Sequence, residues 1–530
     1  MLRISQLKTS ITKDNIDYLK HKCANLLKVS PSQITTFTIY KKSLDARKKP
    51  ELYYIYEIDI SIPNEDKFLK HNSNPHITKS KEHKYQFPNS GTTHLKNRPI
   101  IVGAGPSGLF CAYMLALHGY NPIIIERGDP IDQRTQKVTT FWNTNKLDPE
   151  SNVQFGEGGA GTFSDGKLVT QIKDKENRGS QVMDIFIASG APKEIKYLHK
   201  PHLGTDLLSN IIINLRNKII SMGGEFYYQS KLTNIILENN TIKAIEINNS
   251  QIIPTQILVL AIGHSARDTF NMLYKNNIPL EPKPFAVGIR IQHPQSLINQ
   301  NQYGNKYSSS LGAASYKLTY KSTTGRGVYS FCMCPGGYVV NSSSEPGKLC
   351  INGMSNYARN TLNANSALIV TISPKDFGLN PLDGVKFQQA LETKAYLLGN
   401  GLIPTQTFKD YLENVSTTKF GHINPITKGN YTLTNLNSLF PDYINISLKE
   451  AIQHFDKIIP GYADPDAIIQ AVESRTSSPL RIPRNSQGES SISGLYPCGE
   501  GSGYAGGITS AAIDGIKIAE SLAKIYKPFQ

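Results

Sequence analysis

Two glycine-rich segments at opposite ends of a 530-residue chain constrain its fold more than anything between them. The first reads Arg98-Pro-Ile-Ile-Val-Gly103-Ala-Gly105-Pro-Ser107-Gly108 and runs on into the stretch Leu109 to His118. An apolar run, three spaced glycines and a helix-forming stretch are the strand, turn and helix of a dinucleotide-binding unit. Gly103 allows the tight turn and Gly105 lets a pyrophosphate approach the backbone. Gly108 lets the helix pack close on the strand, and the helix N-terminal amides, at Ser107 and beyond, face the phosphates. The next apolar run, Pro122 to Ile125, ends in Glu126, followed by Arg127. The Glu126 carboxylate can accept adenosine ribose hydroxyls, which favours a cofactor without a 2′-phosphate.

That loop serves NAD and FAD equally, and the tail separates them. Gly494 to Ile516, with Gly499, Glu500, Gly506 and Gly507 before an Ala-rich helix beginning at Ile508, resembles the closing motif of flavoproteins related to glutathione reductase. The resemblance implies that Glu500, where relatives usually carry Asp, meets the ribityl and pyrophosphate region, and that the helix N-terminus faces the flavin, where its dipole favours negative charge. Between the two ends, Thr255 to Gly263 is an apolar strand ending in Ala-Ile-Gly, with Ile262 in place of the usual Thr.

The remaining chain divides by composition. Residues 1–62 alternate as a small basic α+β domain, with a helix near Asp14 to Leu27 and strands at Ile34 to Lys41 and Glu51 to Ile62. Residues 63–97 are polar and carry Pro63, Pro75, Pro88 and Gly91, so they read as a linker. The first part of the FAD-binding domain spans 98–280, an inserted substrate or cap domain 281–485, and the closing segment 486–530. The expected class is thus α/β, a Rossmann-type FAD-binding domain with an inserted α+β cap domain and a small N-terminal α+β domain. Within the first part, Phe155 to Lys167 is too glycine-rich for a regular element. Its Gly158, Gly159 and Gly161 let the backbone wrap a planar ring or phosphate.

Charge and cysteine content limit the setting. The chain holds 57 Lys+Arg against 42 Asp+Glu, and residues 1–98 hold 18 against 9, so the surplus is concentrated in front. A basic front can meet nucleic acid or an acidic partner, although a lysine-rich solvated face accounts for it equally and is favoured. The six cysteines form no disulfide scaffold, and there is neither a secretory signal nor an apolar run of roughly 18 residues, so the expected location is the cytoplasm, with no membrane span.

Gly156 to Lys167, Ala261 to Asp268, Ser330 to Gly337, Glu473 to Arg481, Gly499 to Ile508 and, in front, Ser43 to Lys48 together resemble a bacterial family of uncharacterised FAD-dependent dehydrogenases. The resemblance implies an FAD-binding oxidoreductase acting on a small molecule, and it fixes the cofactor better than the reaction. Gly263 joins the expected cofactor residues. No second glycine triplet lies in the insertion, so NAD(P)H enters as a transient electron donor with no domain of its own. Arg475 and Arg481 can grip an anionic substrate, or they can serve structural salt bridges. Tyr504, His264 and His202 are candidate proton donors that also suit structural roles. Cys332 and Cys334 form either a redox couple or, the favoured reading, buried strand thiols; lacking a second pair, they suggest no metal. The expected activity is hydride transfer through flavin N5. The alternatives are an FAD-dependent RNA-modifying enzyme and a flavin-binding redox sensor without turnover.

Overall fold

The computed structural model describes residues 1–81, 84–306 and 311–529. Residues 82–83 of the expected linker, 307–310 of the expected insertion, and 530 lie outside the described residues.

At the centre lies a parallel sheet, described with five strands in the order Leu495–Pro497, Leu258–Leu260, Ile100–Val102, Ile123–Ile125 and Glu225–Tyr227. The three inner strands are short unbroken apolar runs, as a sheet covered on both faces requires. On one face pack the helices Pro106–Leu117, Arg178–Ala188, Gly204–Ser221 and Ile508–Ile525, sharing a core that includes Phe110, Ile211, Leu215 and Ile516. The first and last of these approach closely because Gly515 has no side chain: a Cβ there would lie 2.1 Å from the Ser107 carbonyl oxygen. The opposite face is covered by the antiparallel meander Leu232–Glu238, Thr241–Ile247 and Gln251–Pro254, through Leu232, Ile242 and Ile245. The tail strand Leu495–Pro497 thus joins the same sheet as the first glycine loop, on the far side of Leu258–Leu260.

The chain leaves this α/β body through Glu281–Pro282 and returns through Leu480–Arg481, and the two segments pair antiparallel with Glu281 opposite Arg481. Between them lies an α+β unit built on a large, mostly antiparallel sheet, whose central strands are Gly327–Cys334, Asn363–Ile372, Phe285–Pro294 and Ile468–Glu473. The helices Asp383–Leu398 and Asp442–Asp456 contribute Leu391, Ala395, Leu448 and Ile452 to its core.

In front, a helix Ile16–Leu27 packs on an antiparallel sheet ordered Thr36–Asp45, Tyr53–Ser61, Leu2–Ser10 and Ile77–Lys79. The stretch read as linker from residue 63 therefore holds a helix, Glu65–His71, and an edge strand that pairs Ile4 with Ile77. Only Ile77 of that strand is buried, so a three-residue edge offers no alternation to detect. No helix among the described residues is long and apolar enough to cross a membrane.

Candidate functional site

A cavity of about 380 Å³ opens where the carboxyl ends of the parallel strands meet the inserted unit, the place where open α/β sheets bind ligands. Its floor is the first loop, Gly103, Gly105 and Ser107, and one wall is Glu126 and Arg127. Gly159, Gly161 and Lys167 line it from the second glycine segment, and Gly263 and His264 from just beyond the strand Leu258–Leu260. Glu500, Gly506, Gly507 and Ile508 close it from the tail. The roof comes from the inserted unit: Phe331, Cys332, Asn352, Glu473, Arg475 and Thr476. Both ends of the chain therefore border one space.

The glycines divide into two kinds. A Cβ on Gly263, Gly506 or Gly507 would meet nothing within 4 Å, so these backbones are bare toward open space, and Gly263 holds φ 72°. Gly108, Gly158 and Gly499 do not border the cavity; they are packing glycines. An added Cβ would lie 1.9 Å from the Gly103 oxygen, 2.2 Å from Thr162 Oγ1 and 2.4 Å from Ser107 Oγ, respectively. Gly108 does what its place in the triplet predicts, while Gly158 and Gly499 were expected at the cofactor and instead hold loops together.

The second glycine segment is wound around Arg134. Its fully buried guanidinium donates to the carbonyls of Asn152 (2.9 Å), Val153 (3.0 Å), Gly156 (3.2 Å), Glu157 (2.7 Å) and Gly159 (3.0 Å). Sequence reasoning missed this residue, because nothing around Arg134 on its helix distinguishes it from a surface arginine.

The acids sit in contrasting settings. Glu126 accepts from the backbone N–H groups of Ala104 (2.8 Å), Gly128 (3.0 Å) and Gly156 (3.0 Å), so it ties three loops together at the cavity wall. A carboxylate has about four acceptor sites, which leaves room for a ligand hydroxyl. No hydrogen-bond donor among the described residues reaches the Glu500 carboxyl. Burial pushes it up to about 7, against the pull of Lys283. Glu473 is held by Arg290, Nε to Oε2 at 2.8 Å. Arg127 forks onto Asp268 (2.9 and 2.8 Å) and stacks over the Phe155 ring.

The expected substrate-binding and catalytic side chains fare differently. Arg475 borders the cavity, but its donors are engaged by Glu392 (3.0 and 2.8 Å) and Ser344 (2.5 Å), beside Arg267, which also forks onto Glu392. Arg481 is exposed, with its guanidinium 5.2 Å from the Tyr504 ring centre, and neither residue borders the cavity. Tyr504 Oη instead accepts from the Arg484 N–H at 3.1 Å, and the Arg484 guanidinium lies over its ring. The arginine that serves the closing turn is Arg484: it forks onto Asp514 (2.9 and 2.6 Å), whose Oδ2 accepts from Gly499 N–H at 2.8 Å. His202 Nε2 donates to the Tyr357 carbonyl at 2.9 Å, away from the cavity. His264 does border it, but burial and then Arg475 and Arg267 push it down to about 3, so it is a neutral ring and a poor acid. A cluster of exposed His422 with the half-buried Asp464 and Asp466 also lies away from this space.

Residues 284–476 match the family described as FAD-dependent protein, C-terminal domain-like. Residues 101–134 match the NAD(P)-binding Rossmann-like domain, and 1–61 a domain of unknown function. An uncharacterised protein of Clostridium beijerinckii is 47% identical over 99% of both chains. Among solved structures, E. coli quinol fumarate reductase aligns over 82% of this chain and 70% of its own, at 10% identity and a TM-score of 0.36. L-proline dehydrogenase from P. horikoshii aligns over 81% and 93%, at 14% identity and a TM-score of 0.32.

Proposed function

The chain belongs to one family with the clostridial relative, and because its residues 284–476 match the family described as FAD-dependent protein, C-terminal domain-like, we propose that it is an oxidoreductase exchanging hydride with a small molecule held under the inserted roof. The observation that carries this reading is the single space bordered by the Gly105 loop, the Glu500 turn and the roof residues Phe331, Cys332, Glu473, Arg475 and Thr476.

The residues fit FAD on two counts: bare glycine backbone at Gly263, Gly506 and Gly507, and a carboxyl at Glu500 that borders the cavity with no hydrogen-bond donor on it among the described residues. When bound, FAD supplies a two-electron carrier that takes or gives hydride at N5. The first-turn amides of Pro106–Leu117, which have no acceptor within the helix, hold the pyrophosphate, and Gly105 lets it close on the backbone. Glu126 takes the ribose hydroxyl with its remaining acceptor site. The N-terminus of Ile508–Ile525, capped by Gly507, places its positive end at the cavity and favours negative charge there by roughly 0.3 to 2 kcal/mol.

Under the roof, Asn352 offers its side-chain amide to a substrate, whereas the Thr476 hydroxyl is bonded to the Ala286 backbone and Arg475 is turned toward Glu392 and Ser344. Glu500 can hold or release a proton near neutrality and is the best-placed acid or base in the cavity. NAD(P)H is read as a donor that docks and leaves. The test is direct: purified protein is expected to be yellow, or to become so with FAD, and to bleach anaerobically with NADH, NADPH or one member of a metabolite panel. A protein that takes up no FAD refutes the reading.

A further inference from the structure

The strand Gly327–Cys334 pairs with Asn363–Ile372 in register up to Phe331 opposite Ala367, and pairing resumes at Cys334 opposite Asn365. Cys332 and Met333 thus face one residue, Ser366, which makes a β-bulge. Cys332 takes φ 43° there, a left-handed value that residues with side chains seldom adopt. The consequence is asymmetric exposure of the two thiols. Cys332 borders the cavity beside Phe331, Glu473 and Glu500, while Cys334 is fully buried behind it.

Cys334 Sγ donates to the Cys332 carbonyl at 3.2 Å, so the buried thiol lies against the residue that borders the cavity. Two cations surround them. Lys167 Nζ donates to the Met333 carbonyl and pairs with Asp165 at 3.1 Å, and Arg290 Nη1 donates to the Cys332 carbonyl at 3.2 Å. Cys332 is accordingly pulled toward the thiolate, first by the Cys334 thiol and then, against the cost of burial, by Lys167 and Arg290; Cys334 is pushed the other way and keeps its proton. A cysteine drawn toward the thiolate form and open to the cavity, with a second, buried cysteine two residues on that is held as the thiol, has the makings of the reduced half of a dithiol–disulfide pair. None of the other four cysteines shares this setting: Cys23, Cys111, Cys350 and Cys498 are all buried, and none borders the cavity.

We propose that Cys332 and Cys334 are a second redox centre, a dithiol–disulfide couple that exchanges two electrons with the flavin; this rests on the flavin reading of the cavity. In the oxidising direction the Cys332 thiolate and the Cys334 thiol join in a disulfide. The electron pair and the Cys334 proton pass to oxidised flavin, giving the anionic two-electron-reduced form, so charge and hydrogen balance. In the reverse direction the disulfide is reopened, with Cys332 as the sulfur that an entering small thiol or disulfide can reach.

The experiment is an anaerobic reductive titration of air-equilibrated, FAD-loaded full-length protein, paired with alkylation and mass measurement of its thiols. The wild type is expected to take up about four electrons per flavin, against about two for Cys332→Ser or Cys334→Ser. Cys350→Ser, a buried cysteine bonded to Ser342 instead, should stay at the wild-type value. The oxidised wild type should show two fewer alkylatable thiols than the six in the sequence, and all of them after reduction. Uptake of about two electrons by the wild type, with every thiol free in its oxidised form, overturns the couple while leaving the flavin site standing. The thiol count needs no variant, so a variant that fails to fold does not blunt the test. Absence of any FAD uptake instead overturns the flavin site, and the couple with it.

Discussion

Gly105 and Gly108 belong to one loop and answer to different demands. A methyl on Gly105 would lie 3.7 Å from Gly159 Cα, an ordinary contact, whereas on Gly108 it would lie 1.9 Å from the Gly103 oxygen. Gly105→Ala is therefore expected to fold normally and to weaken FAD binding by tenfold or more, about 1.4 kcal/mol, because the methyl occupies the approach to the backbone. Gly108→Ala should instead lose about 1–3 kcal/mol of stability. Flavin fluorescence titration and denaturant melts of the two variants distinguish these outcomes. Glu500 makes a second prediction. Its folded-state value of about 7 stands above its ordinary 4.5, so the folded protein holds that proton more tightly than the unfolded chain. The associated stability is complete below about 4.5 and is lost as pH rises through about 7. Glu500→Gln escapes this loss, so melts of the FAD-free protein should show its advantage over wild type growing between about pH 5 and about pH 8. The loops at this scale were legible because glycine spacing records a backbone demand directly. Arg481 and Tyr504 misled because they lie close to the motif along the chain, while the fold turns Arg481 to solvent and gives the closing turn to Arg484.

Among the elements, the second glycine segment shows how a loop without regular hydrogen bonds is held in one shape. Arg134 replaces a ladder with five carbonyl contacts from a single planar group. Arg134→Met keeps the volume and removes the donors, leaving buried carbonyls unpaired at about 1–3 kcal/mol each where water cannot enter. The expected result is a loss of about 3 kcal/mol or more, with FAD affinity falling alongside, since Gly159 and Gly161 form the cavity wall; paired melts and FAD titrations check both. Glycine content revealed that the segment wraps something, but not what it is wrapped upon. The bulge at Cys332 was equally hidden. Period-two alternation puts both thiols of the pair on one face of a strand, and only the register of the neighbouring strand shows that one residue is extra.

For the whole molecule, the joint between the α/β body and the inserted unit is electrostatic as well as apolar. Arg267 comes from the body's helix Arg267–Lys275, while Glu392 and Arg475 come from the inserted unit, and Glu392 is fully buried between the two guanidinium groups. Burial alone would raise that carboxyl, yet the two arginines hold it well below the usual range. Glu392→Ala removes the fully buried carboxylate the two cations share, leaving Arg267 with Glu345 and Gln388 and Arg475 with Ser344 and Glu345, and should cost about 3–5 kcal/mol, read as a fall in denaturation midpoint. The wild-type joint should weaken only in acid, as Glu392 takes up a proton below its ordinary range. None of this was readable from sequence, where Arg267, Glu392 and Arg475 stand far apart with no motif to connect them. The parallel sheet was readable, since its inner strands are unbroken apolar runs beside glycine turns.

The paired segments Glu281–Pro282 and Leu480–Arg481 carry an evolutionary corollary. A unit that departs and rejoins its host through adjoining threads can be exchanged as a cassette. Descendants of one ancestral chain could thus acquire new chemistry by trading canopies, while the nucleotide cradle beneath passes on unaltered.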